Sequence, residues 1–243
     1  MDIHKPKPWH GWREFVGEIG VIVIGVLIAL GAEQMVLALH ERQLSQEARE
    51  SVRAELNLGL ANAKRLLDPA EPCVQRRIAE IGAVLDRAAR GERFQPIGYV
   101  GIPPTPAVYT QRWEAAAAGG RTSLLPINEQ RDFARVYAQL GRMQERSGPV
   151  VTAWAHLAAL EGQSTLSPET IARAREALAE ARFQDYGVRD NFEQAKAYAQ
   201  PLHITGNAQI IAYNRGVMAS VCVPITSTRA EAAAKTKHPM GVP

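Results

Sequence analysis

The sequence has few of the features by which enzymes and nucleic-acid-binding proteins are recognised. Only 6% of its 243 residues are aromatic, and 28 basic against 25 acidic side chains leave a net charge of +3. Both signs alternate along the chain, so no nucleic-acid groove is indicated. Phosphate-binding, dinucleotide-binding, serine-hydrolase and zinc-protease motifs are missing, and the six histidines lack metal-ligand spacing. We therefore predict no enzyme, no cofactor, no metal site and no nucleic-acid partner.

Continuous β-branched runs are also missing outside one segment, whereas alanine is abundant. This composition favours helices. We predict an all-α fold in which an N-terminal transmembrane helix continues into an antiparallel helical bundle. The expected domains are a cytoplasmic segment 1–11, a transmembrane anchor 12–39, an extracytoplasmic bundle 40–223 and a disordered tail 224–243.

The exceptional segment is residues 19–32, which contain no charged or polar side chain. With its flanks, the apolar zone extends from Phe15 to Leu39, matching the ~20 residues that cross ~30 Å of hydrocarbon. We favour a membrane span, with a cleaved signal and a buried core helix as alternatives. Glu14 and Glu18 disfavour a signal, which requires positive charge there. No other stretch is comparably apolar, which disfavours a core helix.

The basic residues before the span, Lys5, Lys7 and Arg13, form a short and compact group. Positive charge favours the cytoplasmic side, so we expect the N-terminus inside the cell and the C-terminal domain in the periplasm of a bacterium. Aromatic side chains favour the headgroup level. The predicted interface anchor consists of Trp9, Trp12 and Phe15.

On a helix, the span has two unlike faces, one of large aliphatic side chains and one of small residues. Small residues allow close helix packing in lipid, and acidic residues at membrane depth usually face protein or water. We predict that the small face docks on another membrane protein or on a second copy of the chain. The alternative is that its glycines are ordinary span composition and its acids extend to the interface. The face comprises Glu14, Gly17, Glu18, Gly20, Gly25, Ala29, Gly31 and Ala32.

The N-terminal residues resemble the signature of a large group of uncharacterised bacterial single-pass membrane proteins. The resemblance implies an inner-membrane protein with a helical periplasmic domain, and implies no activity. The motifs that carry it are Trp12-Arg13-Glu14-Phe15, Glu18-Ile19, residues 25–30 and Glu33-Gln34, followed by Trp113-Glu114-Ala115 and Leu124-Leu125-Pro126.

Proline and glycine divide the remainder into expected helices. Asp68-Pro69-Ala70-Glu71-Pro72 predicts a turn, which would make an antiparallel hairpin of the helices before and after it. The expected helices are 12–67, 72–90, one from Thr105-Pro106 to Gly119, 127–161 with a kink or split at Gly148-Pro149, 168–200 and a short helix within 207–221.

Two cysteines, Cys73 and Cys222, are the most informative polar pair. In an oxidising periplasm they would form a disulfide, although two separate buried thiols remain the alternative. Tyr109 and Trp113 are expected in the core rather than in a ligand cage. The acids near residue 190, Asp185, Asp190 and Glu193, are expected in solvated pairs along one helix.

We therefore expect a membrane-anchored periplasmic binding or scaffold protein, an accessory subunit or self-associating component of an inner-membrane assembly. Its expected partners are the lipid bilayer and another membrane protein or its own copy. The main alternative is a ligand-sensing domain that signals through a partner, which a polar pocket near Tyr109, Trp113 and Arg121 would favour. An enzyme with an unrecognised site is a third hypothesis.

Overall fold

The computed structural model describes residues 11–212 and 219–236, without the side chains of Glu14 and Ala212. Its main element is one helix, α1 (Trp12–Ala89), of 78 residues. At ~1.5 Å per residue this helix is about 117 Å long. Its first part stands free of the other elements, and they pack along its second part.

The continuity of α1 shows that the predicted turn at 68–72, and with it the predicted hairpin, is wrong. Pro69 and Pro72 lie inside the helix with exposed rings. A proline removes a hydrogen bond from a helix interior and normally kinks the helix. Here the buried stripe continues at helical spacing through Ala70 and Val74. Packing of this face stabilises the helix across both prolines.

After α1 the chain turns back and runs beside it as an extended segment, residues 92–110, before α2 (Gln111–Ala118). The helix predicted from Thr105-Pro106 therefore starts later than expected. The prolines of this segment keep it extended, and the N-terminus of α2 is capped from outside by α1, as described below. A 3-10 helix, Arg121–Leu124, then leads into α3.

Three further helices complete the bundle: α3 (Ile127–Glu145), α4 (Ser147–Ala158) and α5 (Pro168–Ala199). The predicted split of the 127–161 helix is confirmed, with the break at Arg146, just before Gly148-Pro149. The start of α5 is also confirmed, because the Ser167 hydroxyl accepts a hydrogen bond from the Thr170 amide at 3.1 Å.

The C-terminal part forms α6 (Ala208–Ala212), a 3-10 helix Ser220–Cys222 and α7 (Arg229–Thr236). Of these, α6 lies within the short helix expected at 207–221 and the 3-10 helix overlaps its end, whereas 213–218 lie outside the described residues. The formation of α7 differs from the disorder expected after 224, and Ala232 of this helix is buried. Residues 237–243 of the expected tail also lie outside the description.

Side-chain contacts give the directions of the helices. Arg49 of α1 pairs with Glu129, and Glu55 bonds Tyr137, so α3 runs parallel to α1. In contrast, α5 runs antiparallel to it. Its successive contacts with α1 are Arg175–Asp86, Asp185–Gln75 and Arg189–Glu71.

The core lies between α1, the α3–α4 pair and α5. The all-α class is confirmed, and the described residues contain a single isolated β-bridge, Ile97 to Glu161. The largest fully buried apolar side chains are Trp154, Phe133, Leu56, Ile81, Leu85, Leu140, Met143, Leu157 and Leu202.

Candidate membrane interface

The first part of α1 is apolar and exposed. Every residue from 21 to 43 is exposed, and Val21, Ile22 and Ile28 have 72%, 65% and 67% of their surface accessible. Among the described residues, α1 is the one helix long and apolar enough to cross a membrane, and none of its most apolar window is buried. Proteins in water rarely expose so large a contiguous apolar surface.

The predicted interface anchor lies at the start of α1. The Trp12 ring is 76% exposed and lies 5.9 Å from the ring of Phe15, which is half-buried. Trp9 lies outside the described residues. Trp12 and Phe15 therefore form a small aromatic group directly before the apolar segment, and their location at a membrane interface stays a prediction.

The small residues of the span face open space. A Cβ atom added at Gly17, Gly20, Gly25 or Gly31 would meet nothing within 4 Å. Packing within the chain therefore does not explain these glycines, each of which lowers helix stability by about 1 kcal/mol relative to alanine. The other members with described side chains, Glu18, Ala29 and Ala32, are also exposed.

Helix geometry gives the angle around α1 between the small residues of the apolar segment and the stripe that is buried in the bundle. At about 100° per residue, Gly25 lies about 180° around α1 from Val52, which is fully buried against the bundle. The same offset separates Ala29 from Leu56. Val23 lies about 20° from Val52. The side away from the bundle thus carries Glu18, Gly25, Ala29 and Ala32. By the same geometry Gly20 and Gly31 lie about 40° and 60° from Val52, on the bundle side with the large aliphatic residues.

A buried carboxylate organises the end of the bundle nearest the span. Glu55 is 5% exposed and accepts hydrogen bonds from the amides of Arg112 at 2.8 Å and Trp113 at 3.4 Å, at the start of α2. Because the first amides of a helix lack partners, this carboxylate acts as its cap. The Tyr137 hydroxyl donates to the same carboxylate at 2.6 Å. Burial and this bond raise the pKa of Tyr137 above its ordinary value.

Trp113 belongs to this group rather than to an open ligand cage. Its ring stacks on Tyr137 with centroids 5.1 Å apart and lies 6.2 Å from the ring of Phe133. Tyr109 is only half-buried and precedes α2. None of the clefts described below has Tyr109, Trp113 or Arg121 among its lining residues.

The opposite half of the bundle is joined to the C-terminal segment. The predicted disulfide between Cys73 and Cys222 is formed. It closes a sequence separation of 149 residues, which in the chain-entropy account stabilises the fold by about 5 kcal/mol. The Gly98 and Tyr99 amides both donate to the carbonyl of Ile225, at 2.8 and 3.1 Å.

Arg77 lies beneath this junction and has no exposed surface. Its guanidinium donates to the carbonyls of Tyr99, at 2.7 Å, Val100 and Val223. Glu80, on the next turn of α1, pairs with it at 3.1 Å. Burial lowers the pKa of Arg77, and Glu80 opposes that effect. Arg77 thus joins α1 to both the extended segment and the C-terminal segment.

A narrow cleft of about 20 Å³ lies where α1, the extended segment, the α3–α4 junction and α5 meet. Asp185, expected in a solvated pair, is half-buried there and accepts a hydrogen bond from Gln75 at 2.8 Å. Burial raises its pKa from 3.8 to about 6. Asp190 bonds Gln194 and Glu193 pairs with Lys196, so only these two follow the predicted pattern.

A second, open groove of about 1110 Å³ lies between α4 and the first half of α5. Its floor consists of small side chains, including Ala153, Ala174 and Ala177, and its rim carries His156 and Arg173. In the part of the chain that the structure describes, no cluster of three or more histidine, cysteine or acidic side chains could hold a metal.

Sequence reasoning missed Glu55, Arg77 and the burial of Asp185. The first two had a signal, because each is a charged residue on the buried stripe of α1, between apolar positions at helical spacing. Asp185 had no such signal, since its burial depends on the extended segment.

Comparison with protein-family models, with curated proteins and with solved structures gave no match to this chain.

Proposed function

We propose that this chain is a membrane-anchored helical binding protein of the bacterial inner membrane, with its N-terminus in the cytoplasm and its bundle in the periplasm. It would serve as an accessory subunit or self-associating component of a membrane assembly. The observation that carries the proposal is the change along α1. One continuous helix is apolar and exposed over residues 21–43, and is buried in the bundle from Ala48 onward.

Three further features support this proposal. The disulfide fits an oxidising compartment such as the periplasm. Lys5, Lys7 and Arg13 before the span favour a cytoplasmic N-terminus. The resemblance of the N-terminal motif to bacterial single-pass membrane proteins agrees with a periplasmic bundle and with a cytoplasmic N-terminus.

The docking surface in this proposal is the small-residue face of the span. Because the part of it around Gly25 and Ala29 points away from the bundle, a partner helix can lie against that part without meeting α3, α4 or α5. Gly25 and Ala29 lie one turn apart on this face and allow close approach of a second backbone. The partner is another membrane protein or a second copy of the chain.

The test replaces these two residues by leucine, G25L/A29L, in the full-length chain. The matched control, V23L/V26L, adds bulk to the large aliphatic side. We expect the first variant to lose its co-purifying partner or its own dimer in mild detergent, and the control to retain it. Both variants should still float with membranes, because both remain apolar. If both variants retained as much partner or dimer as the wild type, docking through this face would be contradicted.

A second candidate, ligand sensing through a partner, is supported by the open groove between α4 and α5. A tryptophan at Thr152, an exposed residue of this groove, would fill part of it. If the groove binds a small molecule, a thermal-shift screen should find compounds that stabilise the wild type and not T152W. Compounds that stabilise both equally would argue against this site.

A further inference from the structure

The end of the bundle nearest the apolar part of α1 carries a strongly exposed apolar side chain. Ile127, the first residue of α3, is 75% exposed, more than any other large apolar side chain that the structure describes beyond residue 44. The Cβ atoms of a helix point toward its N-terminus. Because α3 runs parallel to α1, away from the span, Ile127 points toward the membrane side.

Contacts with α1 fix the height of this end. The Ser45 hydroxyl donates to the carbonyl of Leu124 at 3.1 Å, and Arg49 pairs with Glu129 at 2.7 Å. Ser45 lies six positions after Leu39, the end of the apolar zone, along continuous helix. At ~1.5 Å per residue this is a rise of about 9 Å, close to the ~5–7 Å thickness of the polar layer on each side of a bilayer.

The charges near Ile127 include one exposed cation suited to phosphate. Arg121, in the 3-10 helix between Gly120 and Leu124, has no carboxylate partner among the described residues. In contrast, Arg131 pairs with Asp132 at 3.3 Å. At the level of Ser45, about 9 Å along α1 from the end of the apolar zone, a guanidinium lies within a Debye length of the lipid phosphates and can extend toward them.

From this geometry we infer a second contact with the lipid bilayer, in addition to the anchor. The segment 121–128 rests on the outer headgroup layer, with Ile127 inserted among the headgroups and Arg121 on a lipid phosphate. The contact would hold the bundle at a fixed tilt above the membrane. It also accounts for an isoleucine that would otherwise remain in water. The inference rests on the proposed function, because it requires α1 to cross the membrane.

The test uses an environment-sensitive fluorophore at one introduced cysteine. Both native cysteines are in the disulfide, so labelling without reductant is selective. The full chain is reconstituted into liposomes with headgroup-region quencher lipids, labelled at I127C or at A172C. Ala172 is exposed near the far end of the bundle, since the nearby Arg175 pairs with Asp86. We expect a blue shift and a loss of emission at 127, and neither at 172.

A label at a second position distinguishes insertion of Ile127 among the headgroups from simple proximity of the bundle to the membrane. With the fluorophore at N128C, an exposed neighbour, the pair I127S/R121Q should weaken quenching, whereas I127L should retain it. A blue shift at 127 without quenching would mean that protein covers the patch, and would overturn the inference. So would co-flotation with liposomes without any change at 127. Failure to float at all would overturn the membrane anchor of the proposed function as well.

Discussion

The two halves of α1 are one helix with two different surroundings. Residues 21–43 are apolar on nearly every side and exposed throughout. From Ala48 to Leu85 most of the large apolar side chains form one stripe, which is buried, and polar residues occupy most of the other side. A helix that is apolar on every side needs lipid or protein around it. An amphipathic helix needs packing only against its one apolar face. In the proposed function, this difference corresponds to the change from lipid around the first half to water around the bundle.

The halves also differ in what joins them to the remainder of the chain. Arg77, the Cys73–Cys222 disulfide and Glu55 tie the second half to distant segments. Among the described residues, no side-chain hydrogen bond or ion pair joins residues 21–43 to the bundle. Changes in the second half should therefore lower bundle stability without affecting membrane attachment.

Arg77→Ala should give the largest effect. It leaves the carbonyls of Tyr99, Val100 and Val223 without their buried donor, and loss of one partner of a buried charged network typically costs about 3–5 kcal/mol. The measurement is urea unfolding of the full chain in mild detergent, with flotation on liposomes as the second readout. We expect a loss of about 4 kcal/mol and unchanged flotation.

The matched control is Arg87→Ala, which removes an exposed arginine from the same helix. It should change the free energy of unfolding by less than about 0.5 kcal/mol. If Arg77→Ala were as mild as this control, the junction between α1 and the C-terminal segment would not depend on Arg77. A loss of flotation would instead mean that the two halves of α1 are coupled.

The same comparison explains which parts of the fold can be predicted from the sequence. The apolar segment and the capping signal at Ser167-Pro168 depend on local chemistry. The structure shows the first as a long exposed helix and confirms the helix start at the second, whereas a membrane span stays a prediction. The turn at 68–72 was predicted from its two prolines alone. The stripe of Ala70, Val74 and Ile78 continues across them, and tertiary packing prevails over the local breaker.

Glu55→Gln should have a smaller effect, at the end of the bundle nearest the span. Glutamine keeps one acceptor but removes the charge that caps α2 and binds the Tyr137 hydroxyl. We expect a loss of about 1–2 kcal/mol in the free energy of unfolding. Hydrogen exchange should also accelerate at the amides of Arg112 and Trp113, which measures the cap directly.

Glu47→Gln is the control for this change, because Glu47 is an exposed acid of the same helix whose one side-chain bond among the described residues is to Gln43 on the preceding turn. It should leave exchange in α2 unchanged. Equal exchange in the Glu55 variant and the wild type would show that the first turn of α2 is held by packing of the Trp113 ring instead.

Candidate-site residues were harder to predict than helices because their roles depend on distant segments. In the structure Glu55 and Arg77 are buried beside the apolar stripe of α1. The sequence gives no indication of what surrounds them there. It does not indicate that the α2 amides or the carbonyl of Val223 meet them there. The burial of Asp185 also depends on a distant segment, because it arises only when the extended segment lies against α5.

Asp185→Asn should give the smallest change, and the opposite sign. Burial raises the pKa of Asp185 to about 6, above its ordinary value of 3.8. Between these two pH values the folded state binds more protons than the unfolded chain, so stability falls as the pH rises through this window. Asparagine stays neutral and can still accept from Gln75. At pH 8 we expect the variant to be more stable than the wild type by about 1 kcal/mol, allowing for partial exposure.

Thermal unfolding at about pH 4 and at pH 8, followed by near-ultraviolet circular dichroism, measures this difference. The gain should nearly disappear at the lower pH, where the wild-type carboxyl is also neutral. Asp190→Asn, which changes an acid one and a half turns further along α5, should show no such gain, since Asp190 bonds only Gln194. A gain of equal size at both pH values would assign the effect to packing in the cleft. Whatever its size, the change should leave membrane attachment intact, because Asp185 contacts the half of α1 that lies within the bundle.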